Sequence, residues 1–275
     1  MIKIKSECGK FGKQYKQKSL EKNQTESSCP MTKYKRVLFV SDVHCPYQDE
    51  LALKAMYNFM DWFKPHEVIV LGDLVDFYSI SNFSRDPERV LQLQEELDQA
   101  VIVLNQIRKR ANSSTIYFLR GNHENRLKKY LWSKAQELSR LRALRLKELL
   151  EFDRLKIQYE DKSQIKYGSL MVKHGSIVRR YAGYTAKGEF DKNGLSGVSG
   201  HTHRLAQYRH TNEADSYVWT ESGCLCQLQA DYLDCEKANW QQGFSIGYFK
   251  ENSKRYLIET VPIINSKAMY GGKEF

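Results

Sequence analysis

No run of about eighteen apolar residues occurs in this 275-residue chain, so no membrane-spanning helix is expected. Proline is scarce, at 5 residues, and glycine stands at 16. That excludes collagen-like and Pro/Gly-rich low-complexity classes. The six cysteines include no Cys-x-x-Cys pair, and a chain of this length does not depend on disulfide staples. They read as reduced thiols of a cytoplasmic protein, with Cys224 and Cys226 as small core residues. The first residues, interrupted by Lys3, Lys5 and Glu7, offer no apolar stretch for a secretory signal. Acidic residues are in deficit, 33 against 43 basic, for a formal charge of +10. Such a surface favours polyanionic partners.

What the chain does have is core material: 41% hydrophobic and 12% aromatic residues. That is enough for one large folded domain. Residues 1–32 hold seven lysines and three glutamates, a net of +4, without periodicity. They are expected to form a basic, disordered tail, leaving 33–275 as the domain. Order begins with the β-branched and aromatic run Arg36–Asp42, read as a buried strand. Asp49 to Lys64 carries Leu51, Ala55, Phe59 and Phe63 at spacings of four, an amphipathic helix closed by Pro65.

Glu67–Leu71 and Thr115–Leu119 read as further buried strands. A long helix is expected over 87–111, with Pro87 in its first turn, and two helices over 124–151. The second half is strand-rich: Leu155–Tyr159, Ser169–His174, Gly197–Gly200, Leu205–Tyr208, Tyr217–Thr220, Phe244–Phe249 and Arg255–Thr260. Val178–Phe190 reads as helical. Alternating β-α units followed by strands predict an α/β fold with mixed sheets flanked by helices.

Polar residues recur where these strands end. The turns are Asp42-Val43-His44, Gly72-Asp73-Leu74-Val75-Asp76, Gly121-Asn122-His123-Glu124, His174-Gly175 and Gly200-His201-Thr202-His203. Functional groups of α/β sheets gather at such carboxyl ends. Five of the seven histidines fall in these turns. Asp, Asn and His suit Mn, Fe or Zn, and a carboxylate can bridge two ions.

The ordered set of five turns, from about Arg36 to His203, is similar to the calcineurin-like metallophosphoesterase superfamily. That resemblance implies a two-sheet mixed β-sandwich flanked by helices in four αββα layers, with a dinuclear metal centre at one edge. One ion would be held by Asp42, His44, Asp73 and His203, the other by Asp73, Asn122, His174 and His201. Asp73 would bridge them. His123 would be the catalytic histidine, with Asp76 accepting a hydrogen bond from its second ring nitrogen. Two divalent ions (Mn first, with Fe, Zn or Ni as alternatives) would activate a water for attack on a phosphate ester.

Protein-phosphatase members carry Asp-Arg-Gly where this chain has Asp76-Phe77-Tyr78, so an arginine that grips the phosphate comes from elsewhere or is absent, which counts against a Ser/Thr protein phosphatase without excluding it. Arg126, Arg179 and Arg204 are the candidate substrate-binding residues. Tyr181, Tyr184, Trp219, Trp240 and Phe244 offer rings on which bases could stack. The polar-aromatic runs 183–189 and 239–244 resemble small metallophosphatases of bacteria and phages, which implies a bacterial or phage-infected cell. The expected activity is phosphodiester hydrolysis on single-stranded nucleic acid or nucleotides. The alternatives are a phosphomonoesterase acting on proteins or nucleotides, and a non-catalytic scaffold of the same fold.

Overall fold

The computed structural model describes residues 34–82, 92–229 and 238–275. The 1–32 segment, Pro87 and Val90 lie outside the described residues. The strands form an eight-stranded sheet and a five-stranded sheet. In the first sheet β1 (Tyr34–Val40), β2 (Glu67–Val70), β3 (Thr115–Phe118) and β4 (Ile157–Tyr159) run parallel. The antiparallel strands β10 (Gly243–Lys250) and β11 (Tyr256–Ile264) extend it. In the second, β6 (Leu170–Lys173), β7 (Gly197–Ser199) and β9 (Ser216–Ser222) are parallel. The edge strands are β5 (Gln164–Tyr167) and β8 (Leu205–Thr211). The order in the eight-stranded sheet is β13 (Lys273–Glu274), β12 (Lys267–Tyr270), β11, β10, β1, β2, β3, β4, and in the five-stranded sheet β5, β6, β7, β9, β8.

The period-2 alternation of a strand decides what each sheet face covers. From β1 and β2, Val37, Phe39, Ile69 and Leu71 pack against Leu170, Val172 and Val198 of the second sheet. Their neighbours Leu38, Val40, Val68 and Val70 turn the other way, into a larger core under the helices. Those helices are α1 (Glu50–Phe63) and α2 (Leu93–Ala111). On the far side, α5 (Tyr184–Asn193) packs on β8 and β9. Buried Lys173 pairs there with Glu189 of α5 at 2.9 Å. The layers are helix, sheet, sheet, helix.

Local chemistry sets the helix ends. Asp49 caps α1 by accepting from Leu51 N at 2.9 Å and Ala52 N at 3.0 Å, and Lys64 ends it in the left-handed region. Leu51, expected on the core face, is 56% exposed. A strict spacing of four precesses by about 40° per step on a 3.6-residue helix, so the first member leaves the face set by Phe59 and Phe63. Helix α2 starts at Leu93, with Gln92 and Glu95 forming a capping box, well past Pro87.

Over 124–151 the two expected helices are α3 (Glu124–Lys134) and the single turn α4 (Leu146–Leu149). Between them lie only 3-10 turns, where Leu138 and Leu141 stay exposed. Three strands escaped the sequence reading: β5 and the C-terminal β12 (Lys267–Tyr270) and β13 (Lys273–Glu274). All three are short, rich in exposed polar residues, and lack an apolar run. Among the described residues no helix is long and apolar enough to cross a membrane.

Candidate metal centre

Parallel neighbours release their loops on one edge. Asp42 and His44 therefore follow β1, Asp73 and Asp76 follow β2, and Asn122 and His123 follow β3. From the second sheet, His174 follows β6, and His201 and His203 follow β7. The sheets bring these two groups together. Asp42 Oδ2 accepts from the Ser41 hydroxyl and from His201 N, the latter at 2.9 Å. His174 Nδ1 lies 3.1 Å from Leu71 O.

The backbone is strained where the donors sit. Asp42, His44, Asp73, His201 and His203 all have positive φ, between 52° and 72°, a region that non-glycine residues seldom occupy. Each such residue costs about 1–3 kcal/mol and persists where its surroundings over-determine it. Glu124 supplies part of that constraint. Its buried carboxylate accepts from Asp73 N (2.9 Å), Leu74 N (2.8 Å) and Gly121 N (2.8 Å), pinning two of the turns together. A side chain on Gly121 would overlap Asp73, and one on Gly200 would overlap Ser41 and Asp42. Both positions need glycine for close approach.

Three histidines share one arrangement. His44 Nδ1 meets Asp76 Oδ2 at 2.9 Å, His174 Nδ1 meets the Leu71 carbonyl, and His203 Nδ1 meets Cys226 Sγ at 3.7 Å. Each leaves Nε2 facing inward. His44 Nε2 lies 3.0 Å from His203 Nε2, and His174 Nε2 lies 2.8 Å from Asn122 Oδ1. Outer partners of this kind fix the tautomer that presents a lone pair to a metal. Asp73 Oδ1 is taken by His123 N at 2.9 Å. Its Oδ2 lies 3.2 Å from His174 Nε2 and 3.8 Å from His44 Nε2, between the two halves of the cluster.

A metal fits these residues. Asp42 is wholly buried, and its Oδ1 makes no hydrogen bond of good geometry among the described residues but faces His203 Nε2 at 3.3 Å and His44 Nε2 at 3.7 Å, so its charge needs either a protonated ring or a metal ion there. Two triads, Asp42–His44–His203 and Asp73–His174–His201, each bring donor atoms within 4.8 Å of one another. These are N/O sets suited to first-row divalent ions. Cys224 and Cys226, expected as plain core thiols, are buried and free, and they stand behind His203 as a further close group.

The charges are mutually dependent. Burial alone would raise Asp42, but His203, His44 and His174 hold its carboxyl well below the usual range. Burial opposes charge on His174, yet Asp73 lifts its pKa to about 9. Burial likewise opposes charge on His203, which Cys226 and Asp42 lift to about 9. Burial and the neighbouring His174 keep His201 below the ordinary imidazole value.

The stability contributed by His174 and His203 is thus fully present below their unfolded value near 6.5, and is lost as pH rises through about 9. Metal ligation needs the neutral rings, so ion affinity rises over the same window. The melting temperature of chelator-treated protein is expected to fall from pH 6.5 to 9, while that of Mn-loaded protein does not fall with it. Parallel melting curves would contradict the assignment.

His123 begins α3. Its Nδ1 meets the Asp76 backbone carbonyl at 2.8 Å, and the Asp76 carboxylate lies farther off, at 3.4 Å. The Asp76 carboxylate, expected to accept from His123, lies nearer to His44 Nδ1, at 2.9 Å, and faces both rings. The reason is local: the turn after Asp76 aims its carbonyl at His123 and its carboxylate between the two rings. Arg126, one turn along α3, reaches Asp76 O at 3.0 Å, Asp76 Oδ1 at 3.2 Å and His123 Nε2 at 3.1 Å.

The other candidate arginines lie apart from this cluster. The Arg204 guanidinium donates to the carbonyls of Arg179 and Asn239, and Arg179 itself is exposed. Of the aromatic candidates, Trp219 and Phe244 are core residues, and Trp240 packs on His203 with ring centroids 4.3 Å apart. Sequence reading gave no role to Glu124. Its signal was an acid in the first turn of the helix that follows the Asn122-His123 pair.

The family model described as calcineurin-like phosphoesterase matches residues 35–222. The Gene 54 protein of Mycobacterium phage D29 is 27% identical over 250 residues, covering 86% of this chain and 97% of the phage protein. Among solved structures, the Vacuolar Protein Sorting 29 structure from Cryptosporidium parvum aligns with TM-score 0.46 and 12% identity, over 88% of this chain and 98% of that one. The Pseudomonas putida nuclease MPE aligns with TM-score 0.35 and 13% identity, over 81% and 87%.

Proposed function

Since the chain belongs to the calcineurin-like phosphoesterase family, we propose that it is a dinuclear metal-dependent phosphodiesterase acting on nucleic acid or nucleotide-derived esters. The observation that carries this reading is the pair of adjoining donor triads, with Asp73 Oδ2 of one facing His174 of its own triad at 3.2 Å and His44 of the other at 3.8 Å. Asp42, His44, Asp73 and His203 would hold one ion. Asp73, Asn122, His174 and His201 would hold the other. When bound, two divalent ions, Mn foremost, supply Lewis-acid activation of water and neutralise charge on the phosphate oxygens.

The protein's own groups do the rest. Asp76 and the Leu71 carbonyl orient His44 and His174 through their Nδ1 atoms. Arg126 stands in for the missing Asp-Arg-Gly arginine, arriving from α3 instead of from the turn after Asp76. An arginine only donates, so His123 Nε2 accepts from it while Nδ1–H donates to the Asp76 carbonyl. Arg126 moves from His123 Nε2 to a phosphate oxygen as the substrate enters. Nε2, released by Arg126, then takes up a proton from solvent and passes it to the leaving alkoxide. The excess of 43 basic over 33 acidic residues and the absence of the Asp-Arg-Gly arginine favour a diester of nucleic-acid type.

The test is turnover of bis-p-nitrophenyl phosphate against p-nitrophenyl phosphate with added Mn. The diester is expected to give the higher kcat/KM. A preference for the monoester would favour a phosphatase, and no turnover of either would favour the scaffold.

A further inference from the structure

Two of the aromatic residues singled out in the sequence stand side by side on the surface. Tyr181 is 49% exposed and Tyr184 59% exposed, with ring centroids 5.5 Å apart and planes at 85°. The Arg180 guanidinium lies over Tyr181 at 5.3 Å, and Val178, 58% exposed, extends the patch. An exposed group of this kind marks a binding surface more often than scattered apolar residues do.

The patch is tied to the metal centre at several points. It begins at Val178, four residues after His174 in the chain. Buried Glu221 accepts from Gly183 N at 2.7 Å and from Thr202 Oγ1 at 2.7 Å, and Thr202 lies between His201 and His203. Arg204, the residue after His203, donates to the Arg179 carbonyl. The turn 179–184 is therefore locked to the loop that carries two of the proposed ligands. Glu221 spends a buried carboxylate on this linkage, which a solvent-facing loop does not require.

We propose that Tyr181 and Tyr184 form a stacking platform for a nucleobase of the phosphodiester, with Arg180 beside it to meet a flanking phosphate. The inference rests on the phosphodiesterase reading and names its substrate class: a nucleotide-containing diester, not a simple alkyl or aryl one. A base presents an aromatic face of any sequence to such rings. Arg180 already covers Tyr181, so the Tyr184 ring is the open one.

Two p-nitrophenyl esters with the same leaving group provide the kinetic test: thymidine 5′-(p-nitrophenyl phosphate) and ethyl p-nitrophenyl phosphate. For Tyr184→Ala, and more so for Tyr181→Ala/Tyr184→Ala, the ratio of kcat/KM on the nucleotide ester to that on the ethyl ester is expected to fall by roughly five- to a hundredfold. Tyr184→Phe should keep the ratio. An unchanged ratio overturns the platform, and so does an equal fall on both esters.

A binding arm needs no turnover. A phosphorothioate trinucleotide with a central 2-aminopurine should be quenched by the wild type and by Tyr184→Phe, but not by the double alanine variant. Equal quenching by all three overturns the proposal. If the wild type cleaves neither ester, the phosphodiesterase reading fails, and the quenching alone decides the platform. If the double variant instead changes sedimentation and leaves quenching intact, the patch binds a second copy and the proposal is overturned.

Discussion

Asp73→Asn is expected to abolish most phosphodiester hydrolysis, by on the order of 10³-fold or more, and to leave the protein with less than one tightly held ion per chain. Its two oxygens have separate tasks: Oδ1 accepts from His123 N, and Oδ2 faces His174 and His44. The amide keeps the shape and removes the charge that the proposal places between the two ions. Lewis-acid action by the ions is worth several kcal/mol of transition-state stabilisation, which sets the size of the loss. His201→Ala serves as the control, because the proposal gives His201 to one ion only, beside Asp73 and His174. It should cost one ion and leave the other. Two tightly bound ions in Asp73→Asn, or a loss no larger than that of His201→Ala, would remove Asp73 from its bridging position.

The framework of this site is legible in the sequence because it sits in turns. A strand ended by Asp-x-His or Gly-Asp-x-x-Asp announces itself, and parallel order brings such turns to one edge without any knowledge of packing. Contacts between turns are a different matter. That Asp76 serves His44 by its side chain and His123 by its carbonyl depends on the conformation after Asp76, where Phe77 has a φ of 54°. No residue pattern fixes that.

The reach of Arg126 to Asp76 depends on where α3 begins, and the fourfold grip of Glu124 on neighbouring N–H groups depends on two strands lying side by side. The strands outside that reading lack apolar runs: β5 and β13 are edges, and β12 is a four-residue strand beside β13 with one buried residue, so pairing holds them more than burial does. Leu51 went to solvent because a spacing of four looks like a stripe over one turn and drifts over three.

His123→Ala is expected to retain its metal and to lose on the order of 10²–10⁴ in rate on diesters with alkoxide leaving groups. The loss should be far smaller on p-nitrophenyl esters, whose leaving group departs without a proton. The geometry separates this variant from its neighbour. Asp76 Oδ2 is hydrogen-bonded to His44 Nδ1, so Asp76→Asn should weaken ion binding as well as proton transfer. Loss of an outer-shell partner of a ligating histidine costs about 10- to 100-fold in metal affinity or activity. Asp76→Asn is thus not a milder copy of His123→Ala, and its defect should be partly relieved by excess Mn, whereas that of His123→Ala should not. Equal slowing on both leaving groups, or metal loss in His123→Ala, would contradict the assignment of His123 as the acid.

The central claim is that seven side chains from two sheets form one centre for two ions. Metal content after equilibrium dialysis of the full-length protein against Mn, read together with diesterase activity at each loading, tests it most directly. The account predicts a plateau at two ions per chain, with activity rising as the second ion binds and vanishing in excess chelator. A plateau at one ion with full activity, or undiminished hydrolysis in the chelator, would contradict it.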